Sequence, residues 1–120
     1  GRTNYDPASV EAAATLCASR RLPSRVMVDC SHGNSSKDYT RQPEVCREAL
    51  AQAVAGSPHL LGVMLESHLH AGNQPLGPRA EDLAYGVSVT DACLDWETTA
   101  GLLREADRVL RDRRGLAQVS

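Results

Sequence analysis

Two short apolar runs constrain this chain more than any other feature. A strand with one face in water alternates apolar and polar residues. "LLGVML", from Leu60 to about Leu65, is apolar on both alternations, which is the pattern of a strand covered on both faces. "RVMVDC" is a second β-branched-rich run, bounded by Leu22-Pro23 before it and a polar loop after it. Helical periodicity surrounds both. Asp6-Pro7 combines an N-cap with proline at the first helical position, and Val10, Ala13, Ala14 and Cys17 follow at helical spacing. Pro43 starts a second helix with Cys46, Leu50, Ala53 and Val54 on its apolar face, closed by Gly56-Ser57-Pro58. A third helix is predicted from near Thr98, with Leu102, Leu103, Ala106, Val109 and Leu110 as its apolar stripe.

The predicted order is helix, strand, helix, strand, helix. That is an α/β chain with a parallel strand pair joined through a helix. Two parallel strands leave two open edges and cannot bury two faces. The 120 residues are therefore expected to form a single partial domain, 1–120, of a larger α/β unit whose other strands come from more chain or from a partner.

Composition narrows the function classes. At 42% hydrophobic and 23% charged residues, with a formal net charge of −2, the chain reads as globular. Its basic residues are nearly all arginine, and only Arg111 to Arg114 is locally basic, as suits the last turn of a helix, so no nucleic-acid partner is expected. No apolar run approaches the ~20 residues that span a bilayer. No signal-peptide pattern is visible, and no membrane partner is expected. The four cysteines form no C-x-x-C pair and read as small buried hydrophobes in a reducing compartment, so a cytoplasmic location is expected.

Three groups able to do chemistry fall where strands end. His32 lies two residues beyond Cys30, Glu66 directly follows Leu65, and Asp91 stands late in the long connection from Ser67 to about Trp96. In (β/α) barrels the functional residues occupy such strand ends. An imidazole with two carboxylates suits Mn²⁺, Fe²⁺, Co²⁺ or Zn²⁺ with coordination positions left open. Ligands spread over different strand ends suit a catalytic metal better than a small structural knuckle. Spacing alone leaves plainer alternatives open. A histidine after a strand is more often a hydrogen-bonded loop residue, Glu66 serves equally as an ion-pair partner, and Asp91 as a turn cap. His68 and His70 form an H-x-H pair at a strand exit and read as solvated loop histidines, as does His59. "SHGNSSK" contains Lys37, the only lysine, and its backbone N–H groups could cradle an anion, although it lacks the Walker spacing.

Taken in order, "DCSHGNSSKDYTRQPEVC", "GVMLESHLHAGNQPL" and "LAYGVSVTDACLDWETT" resemble the C-terminal part of class I DAHP synthase. This is 3-deoxy-7-phosphoheptulonate synthase, or phospho-2-dehydro-3-deoxyheptonate aldolase, of the feedback-regulated bacterial and fungal type. The resemblance runs from about Asn4 to Gly115. It implies a (β/α)8 TIM barrel of which this chain is about the last quarter: a helix, the seventh strand and helix, and the eighth strand and helix. It implies a divalent metal, Mn²⁺, Fe²⁺ or Co²⁺, held by a Cys, a His, a Glu and an Asp. His32, Glu66 and Asp91 match three of these, with the cysteine ligand upstream of Gly1 and Cys30 left as a packing residue. His32 and Asp91 are the implied catalytic residues, His32 near phosphoenolpyruvate and Asp91 near the sugar. The implied reaction joins phosphoenolpyruvate, erythrose 4-phosphate and water into the heptulosonate phosphate and inorganic phosphate, the entry to the shikimate pathway, chorismate and the aromatic amino acids. The full-length form is expected to be a homo-oligomer. The family's cationic phosphate clamps sit mainly on earlier strands, so the isolated chain is expected to be inactive. Two alternatives remain open: a non-catalytic truncated relative that binds metal weakly or joins an intact synthase subunit, and a small α/β metal-binding domain of unrelated function.

Overall fold

The structure, a computed structural model, describes residues 2–117. Its elements follow the predicted order: α1 (Pro7–Ser19), β1 (Val26–Asp29), α2 (Gln42–Val54), β2 (Leu60–Met64) and α3 (Trp96–Ala117), with single 3-10 turns at Tyr39–Arg41 and Ala80–Asp82. The α1 start is the one read from Asp6-Pro7. The Asp6 carboxylate accepts from the Ser9 backbone N–H at 3.0 Å and from the Ser9 hydroxyl at 2.6 Å. Asp6→Ala is expected to destabilise the start of α1, readable as a lower midpoint in a urea titration. Helix α3 begins two residues earlier than predicted because Asp95 caps it, accepting from Thr98 N–H at 2.7 Å.

β1 and β2 pair in parallel, with Met27 opposite Gly62, Val28 opposite Val63 and Asp29 opposite Met64. The ladder extends one residue further, where Cys30 N–H donates to the Met64 carbonyl at 2.9 Å. Val10 of α1, Val28 and Cys30 of the first strand region, and Val45, Cys46 and Ala49 of α2 make the core. Tyr5, Val26, Leu60, Val63 and Leu65 pack around it. Helix α3 is tied to α2 by the Arg47 guanidinium, which forks onto the Glu105 carboxylate through Nε to Oε1 and Nη2 to Oε2, each at 3.0 Å, and by Arg113 donating to the Ala53 carbonyl at the end of α2.

The expectation that both strands are covered on both faces is not met within this chain. Side chains alternate along a strand, so Met27 and Met64 stand opposite the face that carries Val28 and Val63. They are 57% and 41% exposed, and Leu61 is 59% exposed. The helices cover one face of the pair, and none of the described residues covers the other. Several smaller expectations also fail: Leu103 of the predicted α3 stripe and Ala13 of the α1 stripe are exposed, and Cys17 and Cys93 are only half-buried.

The molecule exposes 8208 Å² of surface. A self-contained monomer of this mass exposes about 6,300 Å². Its radius of gyration is 17.0 Å, against about 13.6 Å for a compact domain of this length. The fold is α/β with a two-stranded parallel sheet, and its surface is larger than that of a self-contained domain.

Candidate metal centre

β1 ends at Asp29, and the next three residues build a fixed mount for an imidazole. Asp29 Oδ1 accepts from the Ser31 backbone N–H at 2.8 Å and the Ser31 hydroxyl at 2.6 Å. Asp29 Oδ2 lies 2.9 Å from His32 Nδ1. Behind this pair, buried Asn34 donates from its amide to the Asp29 carbonyl at 2.8 Å and accepts from Asn4 N–H at 2.8 Å. With Nδ1 engaged, the ring presents Nε2 outward. The backbone reaches this position by placing His32 in the left-handed region at φ 49°, followed by Ser36 and Lys37 at 56° and 63°. Such angles are uncommon outside glycine, and histidine tolerates them better than most residues.

The possible anion cradle in "SHGNSSK" does not form. The N–H groups of Asn34, Ser35, Ser36, Lys37 and Asp38 all donate to carbonyls between Ser31 and Ser35. The loop spends its donors on its own turns.

Glu66 follows β2 and is held through its backbone. Gln42, fully buried at the start of α2, accepts from Glu66 N–H at 2.8 Å and donates to the Glu66 carbonyl at 3.2 Å. Leu94 N–H donates to the same carbonyl at 2.9 Å, and His68 N–H donates back to the Leu94 carbonyl at 2.9 Å. The long connection is thus ordered rather than loose. Its two limbs meet through Gly72 and Cys93 and through Asn73 and Ser88. The Gln74 side chain further joins them by bonding to the Ala84 and Val87 backbone. That folded connection carries Asp91 back to the other two groups.

His32 Nε2 lies 3.2 Å from Glu66 Oε1 and 3.4 Å from Asp91 Oδ2. One ligand atom from each residue lies within 4.8 Å of the other two. They line a cleft of about 180 Å³ together with Ser35, Lys37, Tyr39 and Gln42. One nitrogen and two carboxylate oxygens fit a borderline divalent cation. His68 and His70 are exposed and lie outside this cluster. His68 Nδ1 instead accepts from Leu69 N–H at 2.9 Å. Cys30 is buried in the core, as expected of a packing residue.

Two further residues shape the site without any signal that was read from the sequence. Asp29 has only its position three residues before His32 to mark it, and Gln42 has nothing. A ligating histidine ordinarily donates its second ring N–H to a carboxylate or carbonyl, which fixes tautomer and orientation. Asp29 Oδ2, 2.9 Å from His32 Nδ1, stands where such an acceptor would. Its hydrogen bond is the main cause that raises the His32 pKa, with the Glu66 charge second. Burial pushes the Asp29 carboxyl up, but the hydrogen bonds from Ser31 and His32 outweigh it, and the net shift is downward.

The sign follows from linkage. A raised imidazole pKa stabilises the metal-free fold at pH below the ordinary histidine value of about 6.5, and that contribution is lost as pH rises through the folded-state pKa. Cation binding needs the imidazole deprotonated and so strengthens as pH rises. Asp29→Asn is expected to lower the His32 pKa in an NMR titration and to weaken Mn²⁺ binding by roughly 10- to 100-fold. An unchanged titration curve would overturn the assigned pair.

The chain is of the α/β class and gathers an imidazole and two carboxylates beyond the carboxyl ends of its parallel strand pair, the end at which α/β folds place their sites. Comparison with known proteins gives the family within that class. The sequence pattern of the DAHP synthetase I family matches residues 1–104, and the chain belongs to that family. It is 46% identical over 108 residues to the Tyr-sensitive phospho-2-dehydro-3-deoxyheptonate aldolase of Enterobacter agglomerans, covering 90% of this chain and 51% of that protein. It is 46% identical over 118 residues to the tyrosine-inhibited enzyme of Candida albicans, covering 95% of this chain and 32% of that one. The structure of phospho-2-dehydro-3-deoxyheptonate aldolase from Francisella tularensis superposes with a TM-score of 0.84 at 36% identity, covering 93% of this chain and 32% of that chain. The chain therefore spans about half of the first relative and about a third of the other two. Among the described residues no helix is long and apolar enough to cross a membrane.

Proposed function

We propose that this chain is the C-terminal portion of a (β/α)8 barrel that catalyses 3-deoxy-7-phosphoheptulonate synthesis. The substrates are phosphoenolpyruvate and erythrose 4-phosphate, and the location is cytoplasmic. The observation that carries this is the convergence of His32, Glu66 and Asp91 within 4.8 Å, from three separate segments, in a member of the DAHP synthetase I family. The bare face bearing Met27 and Met64 supports a barrel whose other strands lie outside this segment.

His32 Nε2, Glu66 and Asp91 are the residues that would hold Mn²⁺, Fe²⁺ or Co²⁺. When bound, such an ion supplies Lewis acidity toward the aldehyde oxygen of the sugar phosphate. Asp29 keeps the imidazole in the tautomer that leaves Nε2 available. Glu66, part-buried and anchored through its backbone, and Asp91, presented from the folded connection, close the cleft on the other sides. In this reading His32 would face phosphoenolpyruvate and Asp91 the sugar phosphate.

The test is condensation by the native-length polypeptide after chelation and after Mn²⁺ is restored. Activity lost on chelation and recovered with Mn²⁺ is expected. Activity indifferent to both would sink the proposal.

A further inference from the structure

We infer that Gln42 is a positioning residue for the site, acting through Glu66, and this rests on the metal-centre proposal above. The ladder between β1 and β2 ends with Cys30 N–H on the Met64 carbonyl, because β1 then turns away into the loop that carries His32. Glu66 lies two residues beyond Met64, so β1 leaves its peptide groups without a strand partner on that side. Gln42 supplies one. Its Oε1 accepts from Glu66 N–H at 2.8 Å and its Nε2 donates to the Glu66 carbonyl at 3.2 Å, from a side chain that is 0% exposed. On the other side Leu94 N–H donates to the Glu66 carbonyl at 2.9 Å.

A side-chain amide does this without titrating. It carries a donor and an acceptor in one plane, matching the C=O and N–H of a single residue, whereas a carboxylate has no donor and a thioether has neither. Gln42 is also the first residue of α2, directly after the loop that mounts His32. The amide thus couples the loop bearing the imidazole to the strand end bearing the carboxylate, and holds the spacing between two of the three groups.

Gln52 gives an internal control. It is also a buried glutamine of α2, at 7% exposure, but its amide donates to the Tyr5 carbonyl at 2.7 Å, away from the site. In the native-length polypeptide, Gln42→Met is expected to weaken Mn²⁺ binding, read by electron paramagnetic resonance titration, by roughly 10- to 100-fold. Gln52→Met is expected to lower the metal-free melting temperature comparably while leaving Mn²⁺ affinity unchanged. If Gln42→Met does not fold, Gln42→Glu keeps the acceptor for Glu66 N–H and removes the donor, and is expected to weaken Mn²⁺ binding by a smaller factor. If Gln42→Met binds Mn²⁺ like the wild type while Glu66→Gln does not, the role of Gln42 is refuted and the metal centre stands. If Glu66→Gln also binds like the wild type, the metal-centre proposal fails and this inference falls with it.

Discussion

Glu66→Gln or His32→Ala in the native-length polypeptide is expected to lower condensation by about a thousandfold or more. A Lewis-acidic ion contributes several kcal/mol of charge stabilisation in a transition state, and each 1.36 kcal/mol is a factor of ten in rate. His32→Ala removes one ligand atom, and Glu66→Gln one carboxylate charge, from a set whose atoms all lie within 4.8 Å of each other. The fold has little reason to suffer. His32 is exposed and the Glu66 side chain keeps 24% of its surface, so neither carries the core. Glu66→Gln is nearly isosteric and leaves the backbone pairing to Gln42 and Leu94 intact. Loss of turnover and of Mn²⁺ affinity with an unchanged far-UV spectrum is the expected pattern. Turnover within about threefold of wild type would remove both residues from the mechanism.

The second large effect concerns the 120 residues by themselves, which are expected to self-associate and to show no detectable condensation. The surface of 8208 Å² exceeds that of a self-contained monomer by roughly 1,900 Å². A stable protein interface buries about 800 Å² on each partner, so the excess is ample to drive association. Its apolar part includes Met27, Leu61 and Met64 beside a parallel pair with open edges. Gel filtration should place the purified chain above its monomer mass, with strong binding of a hydrophobic dye. Met27→Lys combined with Met64→Lys should shift it toward monomer. Among the described residues the candidate metal groups are His32, Glu66 and Asp91, and Lys37 is the one lysine or arginine lining their cleft, thin cover for two phosphorylated substrates. A monodisperse monomer with a sharp melt and measurable turnover would contradict this. The exposed sheet face also fits the alternative in which a short, non-catalytic chain docks on an intact synthase subunit, and turnover on mixing with that subunit would favour it.

The elements were legible because their signals are local. Asp6-Pro7, Pro43 and Gly56 mark helix ends through caps and fixed dihedrals, and the double apolar alternation of Leu60 to Leu65 marks a parallel strand. The same alternation does not tell where the cover comes from. A sequence records which faces are apolar, not which side chains stand on the face that the segment leaves bare, and the structure puts Met27 and Met64 there. His32, Glu66 and Asp91 were singled out as a group because each stands at or beyond a strand end, and the structure brings one ligand atom of each within 4.8 Å of the other two. What they hold remains the proposal above. Asp29 and Gln42 were missed for a physical reason. Each acts through a hydrogen bond whose partner is set by backbone conformation, in one case a left-handed turn at His32 and in the other a contact 24 residues away in sequence. The loop "SHGNSSK" shows the reverse error. Its small polar residues suited an anion cradle, but the turns they make consume the N–H groups that a cradle needs.

The most direct test of the central claim is the mass, under native conditions, of the polypeptide captured from its source cells with an antibody to α3. The expected result is a chain about three times the 12.9 kDa of this segment, from the share of relatives that it spans, carrying a bound divalent ion that is lost in Glu66→Gln. A free 12.9 kDa chain without metal would contradict a barrel-borne metal centre, and the family membership would then describe ancestry rather than activity.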